Sequence, residues 1–541
     1  MEFSALNFIL FALSILVVAI IITPIALFSY IYWKDQRQPQ HAILRNYPLL
    51  GKIRYILEKA GPELRQYLFN ADTAGKPFSR DDYRDIIMPA KYQKNMIGFG
   101  SRRDFEKADF YVKNAMFPKQ QGELEVDNTG QIDSKIYKVK EDNLLSRKEN
   151  VEDKQIQPWL LSDENAVVIG PSCREPFYAK GLIGMSAMSY GALGENAITA
   201  LSKGIGMAGG SWMNTGEGGL SDYHLAGDTD IIAQIGPGLF GVRTASGSFN
   251  WDLLKEKSEI PQVKAFELKL AQGAKIRGGH VDAEKVTERI AAIRHVAPYQ
   301  EIDSPNRFHE FDDVPSMFTF IEKIRNHTGL PVGIKLVIGS TSALDEIASY
   351  MKETQSGPDF ITVDGSEGGT GATFQELADS VGLPIKSAVT IADQTLKKYG
   401  VRDRVKLIAS GKLFTADRIA VILGMGADLV QIARAFMITV GCIMAQICHT
   451  NRCPVGVATT DPKLQKALVV DEKAYRALNY LVTLRESLFR ISAAAGVTTP
   501  TAINASHIQY KDAYQRVWSL DEWIEKEGVS SVTSYSKPDS I

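Results

Sequence analysis

Hydrophobic and polar positions divide the chain into three textures. From Phe3 to Trp33 no side chain is charged, and FILFALSILVVAIIITPIALFSYIYW is apolar throughout. A helix needs about 20 such residues to cross a bilayer. Pro24 is tolerable in a membrane helix, and Tyr30, Tyr32 and Trp33 fall where an interfacial aromatic belt would lie. A secretory leader has a basic start and a shorter apolar core. This start carries Glu2 and no Lys or Arg. The pattern predicts one transmembrane anchor over residues 1–33. Lys34, Arg37 and Arg45 follow it. The positive-inside rule therefore predicts a single-pass protein of the cell membrane with the rest of the chain in the cytoplasm.

Residues 34–165 read as a polar extension, partly helical and partly irregular. PLLGKIRYILEKAGPELRQYLF has apolar positions at helical spacing and a breaker at Gly61-Pro62. The charge-dense stretch within 118–165, with KVKEDNLLSRKENVEDK, predicts a solvated surface loop. From about residue 180 short apolar runs alternate with amphipathic stretches. GLIGMSAM, VGIKLVIG, DFITVDG, VKLIASG and ADLVQIARA read as strands, and MFTFIEKIRNHTG and ADRIAVILGMGA as helices. Alternating strands and helices predict a parallel α/β sheet. A span of about 320 residues suits a (β/α)8 TIM barrel, assigned to 166–505, with a C-terminal tail over 506–541. In such barrels chemistry gathers where strands end, so the polar and glycine residues after each apolar run are the candidates. GIGMAG (204–209) matches the dinucleotide pattern but follows a helical stretch, ENAITALSK, instead of a strand, which argues against a Rossmann role.

Composition changes this picture little. Hydrophobic residues make up 45% and the net charge is −2, which excludes nucleic-acid binding through a basic face. Four cysteines in 541 residues are no disulfide framework and fit a reducing compartment. Three of them, Cys442, Cys448 and Cys453, lie in GCIMAQICHTNRCPVGVAT with C-x5-C-x4-C spacing. Three thiol ligands suit an iron–sulfur cluster, or a zinc site completed by His449.

Other stretches offer anion donors. DGSEGGTGA follows the run FITV and brings Gly368 and Gly369; IASGKLFT and GADLVQIARA supply Gly411 and Arg434. Loops after strands seven and eight of such barrels commonly hold a phosphate. Lys335 ends VGIK, where a ligand would face it. Glu217 is flanked by glycines in NTGEGG, and Lys269 and Lys275 bracket AQGA, so both lysines could receive an anionic substrate in one cavity.

Taken together, GMSAMSYGALG, NTGEGG, KLAQGAK, GIKLV, DGSEGGTGA and the cysteine motif resemble the synthase domain of the glutamate synthase family, in that family's order, over residues 85–480. The resemblance implies FMN beside a [3Fe-4S] cluster, with Cys442, Cys448 and Cys453 as cluster ligands. It implies that Lys335 lies near the flavin N1/O2 edge and that the segments around Ser189, Gly411 and Arg434 contact flavin. It implies that Lys269, Lys275 and Arg294 hold 2-oxoglutarate and that Glu217 relays a proton. Lys275 is expected to act in catalysis as well, and His280, which stands where the family usually has a glutamine, is the fourth substrate-binding candidate. The glutamine-hydrolysing domain with its N-terminal cysteine and the C-terminal β-helix are not expected here. The implied activity is reductive amination of 2-oxoglutarate to glutamate. Ammonia would come from solution or an amidotransferase partner, and electrons from ferredoxin or an NAD(P)H-dependent reductase subunit. Alternatives are a flavin amino-group redox enzyme acting on another 2-oxo acid or an amine such as methylamine, and a non-catalytic membrane-tethered electron-transfer or regulatory protein.

Overall fold

The apolar N-terminal stretch forms one helix, Ala5–Arg37, whose side chains are exposed along nearly its whole length. At about 1.5 Å per residue it is roughly 50 Å long, enough by length and composition to cross a membrane. The computed structural model describes residues 5–273, 275, 278–371 and 373–527, and the chain divides into two units after Asp82. The tail expected over 506–541 thus falls partly outside the described residues, as do Ala274, Ile276, Arg277 and Ala372 of the glycine-rich motifs.

In the first unit, Ala42–Asn46 and Gly51–Leu64 follow the apolar helix. The expected break at Gly61-Pro62 does not occur. Proline removes only its own donor, and the Arg65 N–H bonds back to the Gly61 and Pro62 carbonyls. The helix continues as a wider π turn over Arg65–Phe69.

The second unit holds a closed barrel of eight parallel strands: β1 (Ile183–Met185), β2 (Trp212–Asn214), β3 (Asp230–Ile235), β4 (Val263–Lys269), β5 (Val332–Leu336), β6 (Phe360–Asp364), β7 (Lys406–Ser410) and β8 (Leu429–Ile432), with β8 pairing β1. The protein is therefore an α/β TIM barrel. The five strands expected from apolar runs are β1 and β5–β8. Helices such as Glu195–Ala208, Val314–Thr328, Ser342–Thr354, Ile385–Lys398 and Ala416–Gly424 cover the outside. Among the described residues no helix joins β2 to β3; a loop carrying Glu217 makes that crossing.

GIGMAG lies at the end of the helix Glu195–Ala208. Its Gly204 lets the long helix Val470–Ala495 come close, since a Cβ there would sit 2.5 Å from the Ala474 carbonyl oxygen. The charge-dense stretch is not a loop. It is an antiparallel hairpin, Ile132–Asp142 against Arg147–Ile156, with both faces of its second strand largely in solvent.

Candidate active site

The NTGEGG loop is held from below and from the side. Asn214, at the end of β2, donates from Nδ2 to Glu267 Oε1 at 2.8 Å, while its Oδ1 accepts from the Gly216 N–H at 3.0 Å. Glu267 is fully buried and also accepts from Gln234 Nε2 at 2.6 Å and Thr362 Oγ1 at 2.5 Å. Ser189 Oγ accepts from the Gly218 N–H at 3.1 Å. These bonds present Glu217 to two lysines: its Oε1 accepts from Lys269 Nζ at 3.0 Å and from Lys275 Nζ.

Burial alone would raise the Glu217 carboxyl, but the fields of Lys269 and Lys275 outweigh it and hold the group well below the usual carboxylate range. Burial likewise lowers Lys269 to about 8, with Glu217 opposing the shift and Lys275 and Lys335 adding to it. Arg294 ends the helix Glu288–Arg294 and is 4% exposed. It donates to the Tyr190 carbonyl at 3.3 Å and stacks 5.4 Å from the Phe240 ring centroid, and its Nε has no partner. Burial lowers its affinity for a proton, and the nearby Glu217 opposes this.

A second buried cluster joins the ends of β1 and β5–β8. Lys335 Nζ lies 3.4 Å from Asp364 Oδ2 and 3.5 Å from Ser186 Oγ, and Ser186 and Ser410 hydroxyls are 3.3 Å apart. Asp364 Oδ2 also accepts from the Gly273 N–H at 3.0 Å. Only glycine fits at 273, where a Cβ would stand 2.0 Å from the Gly365 carbonyl oxygen. This contact lays the AQGA loop against DGSEGG, and Gln272, which accepts from Lys269 at 2.9 Å, donates to the Gly369 carbonyl at 3.2 Å. Gly368 packs against Gly273. Arg434 packs on Gly369 and donates to the Glu367 carbonyl. Gly411 abuts the Glu367 carboxylate and Ile385, so Gly369, Gly411 and Arg434 meet around one segment.

His280 stands outside these clusters. Its ring engages Asp303 at 2.8 Å and Asp282 at 3.3 Å on a half-exposed surface, and hydrogen bonding to Asp303 raises its affinity for a proton. The three motif cysteines share one loop, bent by left-handed Met444, Gln446 and Asn451. Burial, then the charge of its neighbours, raises Cys442 to about 11; burial, then Cys453, also raises Cys448. Lys285 Nζ donates to the Cys448 carbonyl at 2.9 Å. Among the described residues no three His, Cys, Asp or Glu side chains converge on a single metal ion.

Several residues in these clusters escape a reading of the sequence. Asp364, Ser186 and Ser410 terminate apolar runs and carried that signal. Gln431 is a polar residue inside the apolar run LVQI, 1% exposed, with both amide atoms unpartnered among the described residues, and pairs in register with Ser410. Asn214, Gln234 and Glu267 lie on strands whose inward polar side chains hide them.

Comparison with known proteins follows this geometry. The family model described as a conserved region in glutamate synthase matches residues 120–498. The glutamate synthase large subunit-like protein YerD of Bacillus subtilis (strain 168) is 56% identical over 519 residues, covering 96% of this chain and 99% of that protein. The archaeal-type glutamate synthase [NADPH] of Thermotoga maritima is 34% identical over 316 residues, 58% of this chain and 59% of that one. The archaeal glutamate synthase [NADPH] of Methanocaldococcus jannaschii is 32% identical over 345 residues, 64% of each chain. The chain thus spans nearly all of YerD and about three fifths of those two enzymes.

Proposed function

The chain belongs to the glutamate synthase family, and from that premise we propose that it aminates 2-oxoglutarate reductively to glutamate, with ammonia as amino donor. It is a glutamate synthase-like oxidoreductase. The observation that carries the finer reading is the surplus of buried cations around Glu217. Lys269 and Lys275 pair with one carboxylate and Arg294 is buried beside it against Gly218, and buried charge without compensation is costly. A dicarboxylate substrate provides the missing negative charge, and Arg294, with its free Nε, can take a carboxylate at two points. Lys275, an ammonium bonded to Glu217, would give the reacting substrate a proton and regain one from solvent through the Glu217 carboxylate. Burial of the lysines keeps water from competing for these contacts.

The second cluster fits FMN. Gln431 has an amide donor and acceptor with no protein partner, and the strand ends around it are lined by hydroxyls and one buried lysine. Lys335, Ser186, Ser410 and Gln431 would face the ring, and Gly368, Gly369, Gly411 and Arg434 the phosphate, while Ser189 steadies the loop between the two clusters. When bound, FMN supplies two-electron redox chemistry, and Lys335 would place a cation where reduced flavin carries charge. Cys442, Cys448 and Cys453 would hold a [3Fe-4S] cluster, which supplies a one-electron relay. A cluster gives each thiolate its own iron, so three thiols on one loop suit it without converging on one ion. Electrons would come from ferredoxin or an NAD(P)H-dependent reductase subunit, and ammonia from solution or an amidotransferase partner. Ala5–Arg37 would cross the cell membrane once, with the barrel in the cytoplasm.

The test is anaerobic turnover of the purified full chain after its FMN and iron contents are measured. Reduced donor, 2-oxoglutarate and 15N-ammonium should give labelled glutamate. A fully loaded protein that forms none overturns the reading.

A further inference from the structure

The first unit carries an apolar face that no side chain covers among the described residues. Leu50, Ile53, Ile56, Leu57, Tyr67 and Leu68 line Gly51–Leu64 and its continuation, and their exposures run from 51% at Tyr67 to 69% at Leu50 and Leu68. At 3.6 residues per turn Leu50, Ile53, Ile56 and Leu57 share one side of the helix, within an arc of about 120°, and Tyr67 and Leu68 follow on its π continuation. The remaining sides are polar, with Lys52, Arg54, Lys59 and Arg65 against Glu58 and Glu63. Large contiguous apolar surface of this kind marks an interaction site.

This helix is also fixed to the end of the apolar N-terminal helix. Asp35, only 2% exposed, accepts from the Leu49 N–H at 3.1 Å and pairs with Lys52 Nζ at 2.7 Å. Gln38 Nε2 bridges the carbonyls of Asp35 and His41 at 2.9 and 2.8 Å. The His41 and Tyr55 rings meet edge to face at 5.3 Å, and Gly51 packs on Leu44. The elbow between the two helices is therefore built, and the amphipathic helix starts where a spanning helix would leave the bilayer.

We propose that residues 50–69 form an interfacial membrane helix, with the apolar arc sunk to the acyl boundary and the basic flanks among anionic headgroups. The occupant is lipid because the face is tied to a helix of membrane-spanning length and its charge surplus is basic. The proposal rests on the reading of Ala5–Arg37 as a membrane span. It gives the protein a second lipid contact beside the span.

The test uses the full chain carrying Ile56→Trp, reconstituted in phosphatidylcholine–phosphatidylglycerol vesicles with bromine on the acyl chains. The emission gained over the wild type should be lost to bromines near the headgroups more than to deeper ones, and should resist aqueous acrylamide. Adding Ile53→Glu and Leu57→Glu should abolish the bromine quenching and open the Trp to acrylamide. Quenching that survives both glutamates overturns the proposal. So does a blue-shifted Trp that bromine does not touch, because the face is then covered by a second copy or another protein. Alkaline carbonate extraction separates the premise: a wild-type chain released from the vesicles means that the span itself is wrong, whereas a retained chain with an unquenched Trp overturns only the interfacial helix.

Discussion

The two buried ion clusters at the barrel mouth use the same parts in different balance. Around Lys335 one ammonium faces one carboxylate, Asp364, and the Ser186 hydroxyl. Around Glu217 two ammonium groups share one carboxylate, and a third cation, Arg294, packs on the adjoining Gly218. A balanced pair is complete without a ligand and can present a fixed field to a neutral ring. An unbalanced group is strained electrostatically until an anion joins it; here burial, with Lys275 and Lys335 adding to it against Glu217, pulls Lys269 to about 8. On the proposed reading the difference would put substrate at one cluster and cofactor at the other, and variants that separate the two roles test it.

The largest expected effect is at Glu217. Glu217→Gln keeps the shape of the side chain and removes the carboxylate that accepts from both lysines. Loss of a positioned proton carrier lowers turnover by about 10²–10⁴-fold, while FMN content and the flavin spectrum should not change. Anaerobic kinetics beside flavin absorbance reads both. Turnover within a few-fold of wild type would remove Glu217 from the chemistry.

Arg294→Ala sharpens the substrate side. A charge-assisted hydrogen bond contributes about 1.5–3 kcal/mol, so KM for the oxo acid should rise about 10–100-fold with the flavin untouched. A variant that loses flavin with KM unchanged would reverse the assignment. Gln431→Leu probes the other side. It replaces an unpartnered buried amide, so the apoprotein should tolerate it, while FMN should bind about 2–10-fold more weakly and KM for the oxo acid should stay constant. Fluorescence titration of FMN measures this, and unchanged affinity would remove Gln431 from the cofactor site.

The same contrast explains what was legible in the sequence. Strands β5–β8 stood out because Val332, Phe360 and Leu429 open apolar runs buried on both faces that a polar residue closes. β3 and β4 did not, because Gln234, Glu267 and Lys269 point into the polar interior and interrupt the run. β2 is three residues long. The 132–156 hairpin has too little burial to impose alternation. Motif resemblance found Glu217, Lys269, Lys275 and Arg294, and the fold brings them together through long-range contacts. His280, from the same segment, faces Asp303 instead because the short strand His280–Val281 pairs with Ile302–Asp303. Gln431 was hidden because one amide in an apolar strand reads as noise until the structure shows it without partners.

The smallest effect, and the finest test of imbalance, is the pH dependence of substrate binding. Burial lowers Lys269 to about 8 from its ordinary value, so it is a cation below that pH and neutral above it. An anionic oxo acid gains the Lys269 contact fully below about 8 and loses it as pH rises through that value. Because Lys269 passes from mostly charged to mostly neutral between about pH 7 and 9, the apparent KM should rise roughly 3–10-fold over that range. Turnover at saturating substrate should respond less, because Lys275 still bonds Glu217. Lys269→Arg keeps its charge across this range and should flatten the profile near the low-pH value. Lys269→Gln should flatten it near the high-pH value. A wild-type KM that is level over this range, or an inflection that persists in Lys269→Arg, would mean that another group titrates and that the Glu217 cluster is not waiting for the charge of the substrate.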